Sequence, residues 1–127
     1  MLDIAVVIPT HNRITFIEKA IDSVLNQSIV VDEIIIIDDG SNDGTREIIK
    51  TKYPEIDYVY QSNKGISAAR NKAINKTNCN WISFLDSDDT WESNKIKKQI
   101  EAINKNPDYL ICHTNETWYR NGKILNQ

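Results

Sequence analysis

The sequence predicts an α/β fold, a doubly wound and mostly parallel sheet flanked by helices. Three observations predict it. Two short apolar runs, Ile4-Ala5-Val6-Val7-Ile8 and Ile34-Ile35-Ile36-Ile37, are continuous rather than alternating, as in strands covered on both faces. Between them Ile14, Ile17, Ala20, Ile21, Val24 and Leu25 recur at helical spacing. The alternation of strand and helix then continues along most of the 127 residues, a length that suits one domain around one core.

The elements follow in order. The first helix opens at Thr15-Phe16-Ile17-Glu18, which fits a capping box whose hydroxyl and carboxylate satisfy free amides. A second helix is expected from about Asp43 to Lys52, stopped by Tyr53-Pro54. Ile56-Asp57-Tyr58-Val59-Tyr60 alternates as a half-exposed strand. Ile66 to Lys76 reads as a helix whose small face, Ala68, Ala69 and Ala73, permits close packing on a sheet. Trp81-Ile82-Ser83-Phe84-Leu85 is a fourth strand. Asp89-Thr90-Trp91-Glu92 resembles another cap, opening a helix with Ile96, Ile100 and Ile103 on one face, and Asn106-Pro107 ends it. Tyr109 to Tyr119 reads as a strand and Asn121-Gly122 as a two-residue hairpin turn, with a return strand barely begun at Gln127.

Composition excludes several classes. With 40% hydrophobic and 26% charged residues the chain is an ordinary soluble one. A net charge of −3 gives no basic footprint for a nucleic-acid partner. No run of about 18 apolar residues predicts a membrane span. The start, Met1-Leu2-Asp3-Ile4-Ala5, lacks the features of a signal peptide, so a cytoplasmic location is expected. Cys79 and Cys112 are too few and too distant for a zinc site or disulfide framework and read as buried, reduced thiols.

Ligands of such sheets bind beyond the carboxyl ends of the strands. Polar residues gather there: Pro9-Thr10-His11-Asn12-Arg13, Asp38-Asp39-Gly40-Ser41-Asn42-Asp43-Gly44, Gln61-Ser62-Asn63-Lys64-Gly65 and Asp86-Ser87-Asp88-Asp89. In an extended segment Asp86 and Asp88 point the same way. Their hard oxygens suit magnesium or manganese, which keep water and substrate phosphates as further ligands. Such an ion would offset charge on a departing diphosphate. The alternative is a cluster in which Asp89 or Thr90 caps the next helix.

The loop from Asp38 to Gly44 is not a calcium loop, because counting from Asp39 puts Lys50 where an EF-hand needs Glu. Gly40 and Gly44 instead suit close approach of backbone to a ligand and the start of a helix. Asp39 could then accept a hydrogen bond from a base imino or ribose group; an Asx-turn is the alternative. Lys64 and Arg70 flank the start of the third helix, where a diphosphate would gain from the dipole and both cations. Arg70 as a plain surface residue is the competing reading. His11 and Arg13 are donor contacts or loop polarity, and Trp91, Trp118 and Tyr119 are packing residues.

Together, Val7-Ile8-Pro9-Thr10-His11-Asn12-Arg13, Ile36-Ile37-Asp38-Asp39-Gly40-Ser41-Asn42-Asp43-Gly44-Thr45, Asn63-Lys64-Gly65-Ile66-Ser67-Ala68-Ala69-Arg70-Asn71 and Phe84-Leu85-Asp86-Ser87-Asp88-Asp89 resemble the family 2 glycosyltransferases, which have the GT-A fold. The four motifs stand in family order between about residues 4 and 105. The resemblance implies inverting transfer of a sugar from a nucleotide-diphosphate donor, often uridine-linked, to a glycan or lipid-linked acceptor of bacterial surface polysaccharide, at the inner face of the membrane. It implies that Pro9 and Thr10 border the nucleoside pocket, that Asp39 binds the base and that Arg70 contacts the nucleotide. Asp86 would sit near ribose and metal, with Asp88 the direct ligand of Mn2+ or Mg2+.

The family's general base is an Asp or Glu well beyond the metal motif. Glu116 is the only carboxylate after Asp108, and its place in an expected strand does not match. No catalytic residue is identified. Residues 1–127 are therefore expected to form a single nucleotide-sugar-binding domain, a fragment of a longer enzyme that binds donor and metal but transfers little. The unfinished hairpin offers an edge for homo-oligomer pairing. A receiver-type signalling domain would need its acidic pair after the first strand, and a nucleotidyltransferase a Gly-rich basic loop there. A non-catalytic nucleotide-binding module is the remaining alternative.

Overall fold

The computed structural model describes residues 2–117, 119–120 and 123–124. Its elements are β1 (Ile4–Thr10), α1 (Ile14–Leu25), β2 (Glu33–Asp39), α2 (Thr45–Lys52), β3 (Asp57–Gln61), α3 (Ile66–Lys76), β4 (Trp81–Phe84) and α4 (Lys95–Lys105). A separate small ladder pairs β5 (Tyr119–Arg120) with β6 (Lys123–Ile124). The main sheet has the order β3-β2-β1-β4 with every pairing parallel. The chain steps outward from β1 to β3, then returns to the other side of β1 for β4. That reversal makes the crevice between the carboxyl ends of β1 and β4 the switch point at which such sheets bind ligands.

Both faces of the sheet are covered, as the continuous apolar runs predict. Ile4, Val6, Ile8 and Ile36 pack with Ile17, Ala20, Ile21 and Val24 of α1, Ile49 of α2 and Ile96 of α4. Val7, Ile35 and Ile37 meet Ala69 and Ala73 of α3 on the opposite face. The alanines let α3 lie close to the strands. Each buried isoleucine contributes about 1.5–3 kcal/mol relative to exposure. Leu25, read as part of the apolar stripe of α1, is 52% exposed instead, off the buried face.

Several boundaries differ from expectation. Strands β1, β2 and β3 continue through Pro9-Thr10, Asp38-Asp39 and Gln61, so residues read as loop are the last paired residues of strands. Thr15 opens no capping box. Helix α1 begins at Ile14 with Arg13 at its cap position and no side-chain cap of its own. The amide of Ile14 donates instead to the carboxylate of Asp43, 3.1 Å away. Nor does Asp89-Thr90-Trp91-Glu92 open α4, which starts at Lys95. There the Ile96 amide donates to Oε1 of Gln27 at 3.1 Å. The starts of α1 and α4 are satisfied from distant segments.

Within 109–117 the expected strand is absent. Tyr109, Leu110 and Ile111 are 69%, 85% and 85% exposed, and among the described residues no strand pairs with this apolar stretch. Trp118 and the Asn121-Gly122 turn lie outside the described residues. Cys79 and Cys112 are free thiols, half-buried rather than buried. Burial pushes the Cys79 thiol above its usual value. Among the described residues no helix is long and apolar enough to cross a membrane.

Candidate functional site

Alternation along β2 sends its two consecutive acids to opposite faces of the sheet. Asp38 is the register partner of Thr10, and the pair lies on the α1 face. It is fully buried, accepts the Ser41 amide at 2.9 Å and accepts the hydroxyl proton of Tyr58. Burial and the Asp38 carboxylate together push the Tyr58 hydroxyl far above its ordinary value. Thr10 is 3% exposed, and its Oγ1 has no partner among the described residues.

Asp39 faces α3. Its Oδ1 accepts Nε2 of Gln61 at 2.8 Å and the Lys64 amide at 2.7 Å, and its Oδ2 accepts the Gly65 amide at 2.9 Å. Burial alone would raise its pKa. The hydrogen bonds from Lys64, Gln61 and Gly65, with His11 nearby, outweigh burial and hold the carboxyl below 3.8. Nδ1 of His11 donates to the Asp39 carbonyl at 2.8 Å. The amides of Lys64 and Gly65, just before α3, meet the chain's own Asp39 carboxylate. Oδ2, with a single amide donor, keeps acceptor capacity for one further group.

The loops after β1 and β2 are joined to each other. Asn12 adopts φ of 50°, its amide donates to Oγ of Ser41 at 2.8 Å, and its Oδ1 accepts the Asn42 amide at 2.8 Å. Asp43 serves two helices, accepting the Ile14 amide at 3.1 Å and the Thr45 amide and hydroxyl at 3.1 and 2.5 Å. Burial raises its pKa, but the Thr45 and Ile14 hydrogen bonds bring the carboxyl below its usual value. Gly40 has φ of 84°, and a Cβ there would stand 2.9 Å from the Asn63 nitrogen. Its glycine makes room for the β3–α3 loop.

The acidic segment after β4 is a turn closed by the Asp89 amide donating to the Asp86 carbonyl at 3.0 Å. Extended alternation is therefore not what gathers the acids. The turn brings carboxylate oxygens of Asp86, Asp88 and Asp89 within 4.8 Å of one another, all exposed. Asp89, expected to cap the next helix, joins the cluster instead. Burial raises its pKa, with the charges of Asp88, Asp86 and Glu116 adding to the effect. Glu116 thus lies within electrostatic reach of this turn, outside any strand. Three hard oxygen donors on one turn fit a magnesium or manganese ion that completes its shell with water and phosphate.

Arg70 reaches this turn from α3. Its Nη2 pairs with Oδ1 of Asp86 at 3.3 Å, and its guanidinium carbon lies 5.4 Å from the centroid of the Phe84 ring. Its Nε is buried and has no hydrogen-bond partner among the described residues. Phe84 is the register partner of Val7 and Pro9 that of Ile37, both on the α3 face. Of the residues singled out in the sequence, Pro9, Asp39, Arg70 and Asp86 gather on that side of the sheet edge, with Asp88 on the same turn. Thr10 faces the other way. The sequence reading missed Gln27, whose Nε2 donates to the Ser23 carbonyl at 3.0 Å and the Glu92 carbonyl at 2.7 Å. It ties the segment between the acidic turn and α4 to the end of α1. Nothing local in the sequence marks it.

Glycosyl transferase family 2 matches residues 5–124, nearly the whole chain. The chain belongs to that family. Its family 2 relatives include the putative teichuronic acid biosynthesis glycosyltransferase TuaG of Bacillus subtilis (strain 168), 43% identical over 79% of this chain and 41% of that protein. Chondroitin synthase of Escherichia coli is 32% identical over 96% of this chain and 18% of its own length. The fold is shared with S. aureus TarS 1-349 in complex with UDP-GlcNAc, with a TM-score of 0.74 at 23% identity over 84% of this chain and 32% of that one. A mannosyltransferase from Pyrobaculum calidifontis, in complex with GDP-Man and Mn2+, aligns with a TM-score of 0.69 at 21% identity over 79% of this chain and 32% of that one. The expected GT-A architecture is thus the observed one. The chain spans less than half the length of each of these proteins.

Proposed function

We propose that this chain is the nucleotide-sugar-binding part of an inverting glycosyltransferase that takes its sugar from a nucleoside-diphosphate donor, with UDP as the nucleotide. The observation that carries the reading is the convergence of Asp86, Asp88 and Asp89 beside Arg70 at the β1–β4 switch point. Polysaccharide synthesis is supported by the names of TuaG and chondroitin synthase; a glycan or lipid-linked acceptor at the inner face of the membrane belongs to the same proposal. The UDP-GlcNAc complex of a protein of the same fold supports the donor class.

In this reading Asp88 and Asp86 hold Mn2+ or Mg2+ with Asp89 beside them. The bound ion would supply charge neutralisation of the departing diphosphate. Pro9 borders the nucleoside from the end of β1. Thr10 is the weaker of the two pocket candidates, because its side chain lies on the opposite face. Asp39 offers its remaining acceptor capacity to the base while it orders the start of α3. The Arg70 guanidinium, already aimed at the turn, contacts the nucleotide. No general base is assigned; the reading proposed for these 127 residues is donor and metal binding. Calorimetric titration with UDP, with and without manganese, tests the proposal. Metal-dependent binding that disappears in Asp88→Ala is expected; binding indifferent to metal and to that substitution overturns it.

A further inference from the structure

We propose that Arg70 is a resident cation on Asp86 that opposes the metal until the donor arrives, and that the donor's diphosphate draws it off. The inference rests on the donor-and-metal reading above and adds a mechanism by which nucleotide and metal assist each other's binding. Among the described residues Arg70 is the cation that forms an ion pair with the acidic turn. It occupies Oδ1 of Asp86, one of the three residues whose carboxylates converge as a cation site.

Three features suit the guanidinium to exchange partners. The pair is half-exposed on both sides, 39% and 49%, so solvent screens it and it breaks at little cost. The Phe84 ring beneath the guanidinium keeps the group at the turn when the pair opens, instead of letting it swing into solvent. The buried Nε lacks a partner, which leaves a donor that an anionic oxygen would satisfy. A diphosphate offers such oxygens in the forked geometry that a guanidinium matches. Departure of Arg70 to the diphosphate frees Asp86 for the metal. By linkage, the factor by which UDP raises metal affinity equals the factor by which metal raises UDP affinity.

The test is Mn2+ binding to the full chain, followed by the electron paramagnetic resonance of free manganese, with no nucleotide and with saturating UDP. Arg70→Met should tighten manganese binding in the absence of nucleotide by about 2- to 5-fold, the range open to an exposed ion pair. The same variant should weaken UDP binding in the presence of manganese by about 10-fold or more, as loss of a charged hydrogen bond does. Arg70→Lys and Phe84→Leu keep the positive charge but not the seated guanidinium, and both should fall between wild type and Arg70→Met. That intermediate rank separates a seated ion pair from a long-range field, which the lysine would preserve in full. Unchanged or weaker metal-alone binding in Arg70→Met overturns the proposal while leaving metal-dependent UDP binding of the wild type, and the donor reading, intact. A wild-type chain that binds neither manganese nor UDP overturns both.

Discussion

Three donors converge on the 5%-exposed carboxylate of Asp39, and this makes it a structural acid as well as a ligand candidate. Its folded pKa is below the ordinary 3.8, as is that of Asp43. The sign follows from linkage: the folded chain binds fewer protons than the unfolded chain in this range. The stability from these groups is complete above pH 3.8 and is lost as pH falls through their depressed folded values. Urea midpoints measured between pH 6 and pH 2.5 should therefore drop steeply at the acid end. Asp39→Asn should be less stable at pH 6, by about 1–3 kcal/mol, because an amide nitrogen now faces donors. It should also show a shallower acid slope. An acid slope equal to that of the wild type would refute the assignment.

Helices in this chain borrow their caps. Asp43 caps α2 locally from the loop after β2 and also satisfies the first amide of the distant α1, and Gln27 serves α4 from the end of α1. The local signal at Thr15-Phe16-Ile17-Glu18 is silent because Asp43 already holds the Ile14 amide and Thr15 lies exposed within the first turn. Paired substitutions separate the two readings. Asp43→Ala should cost about 1–2 kcal/mol in chemical denaturation, the value of a lost cap. Thr15→Ala should stay within about 0.5 kcal/mol of wild type. At the β2–α2 loop, Gly40→Ala should destabilise the fold and weaken UDP binding together, since the added methyl would meet the Asn63 backbone at 2.9 Å. An unchanged melting curve in that variant would contradict the close approach.

Across the whole molecule, four parallel strands bring their carboxyl ends to one edge, and the donor is expected to bind that edge without adding secondary structure. Ligand binding then registers as stability by mass action. Saturating UDP with manganese at about 100 times the dissociation constant should add about 2.7 kcal/mol. For a chain of this size the corresponding rise in Tm is about 10 °C. UDP or manganese alone should give a smaller shift, and Asp88→Ala none with the pair. Equal shifts in the variant and the wild type would mean that the acidic turn does not hold the ion.

The order of strands and helices was written in the residues themselves. Continuous β-branched runs such as Ile34 to Ile37 read as strands covered on both faces, and the small face of Ala69 and Ala73 suits the close α3 packing observed. The acids at the strand ends were equally apparent, because unusual polarity stands out against apolar strands. Tertiary structure decided where those acids point and what they hold. One residue of register separates Asp38, bound to Tyr58 on one face, from Asp39, bound to the start of α3 on the other. Turn geometry, not alternation, brought Asp89 to Asp86 and Asp88. The 109–117 segment has strand composition without strand structure, because a ladder needs a partner that composition does not supply. Local pattern is carried by neighbours along the chain, whereas caps, faces and ion pairs are made between residues that only the fold brings together.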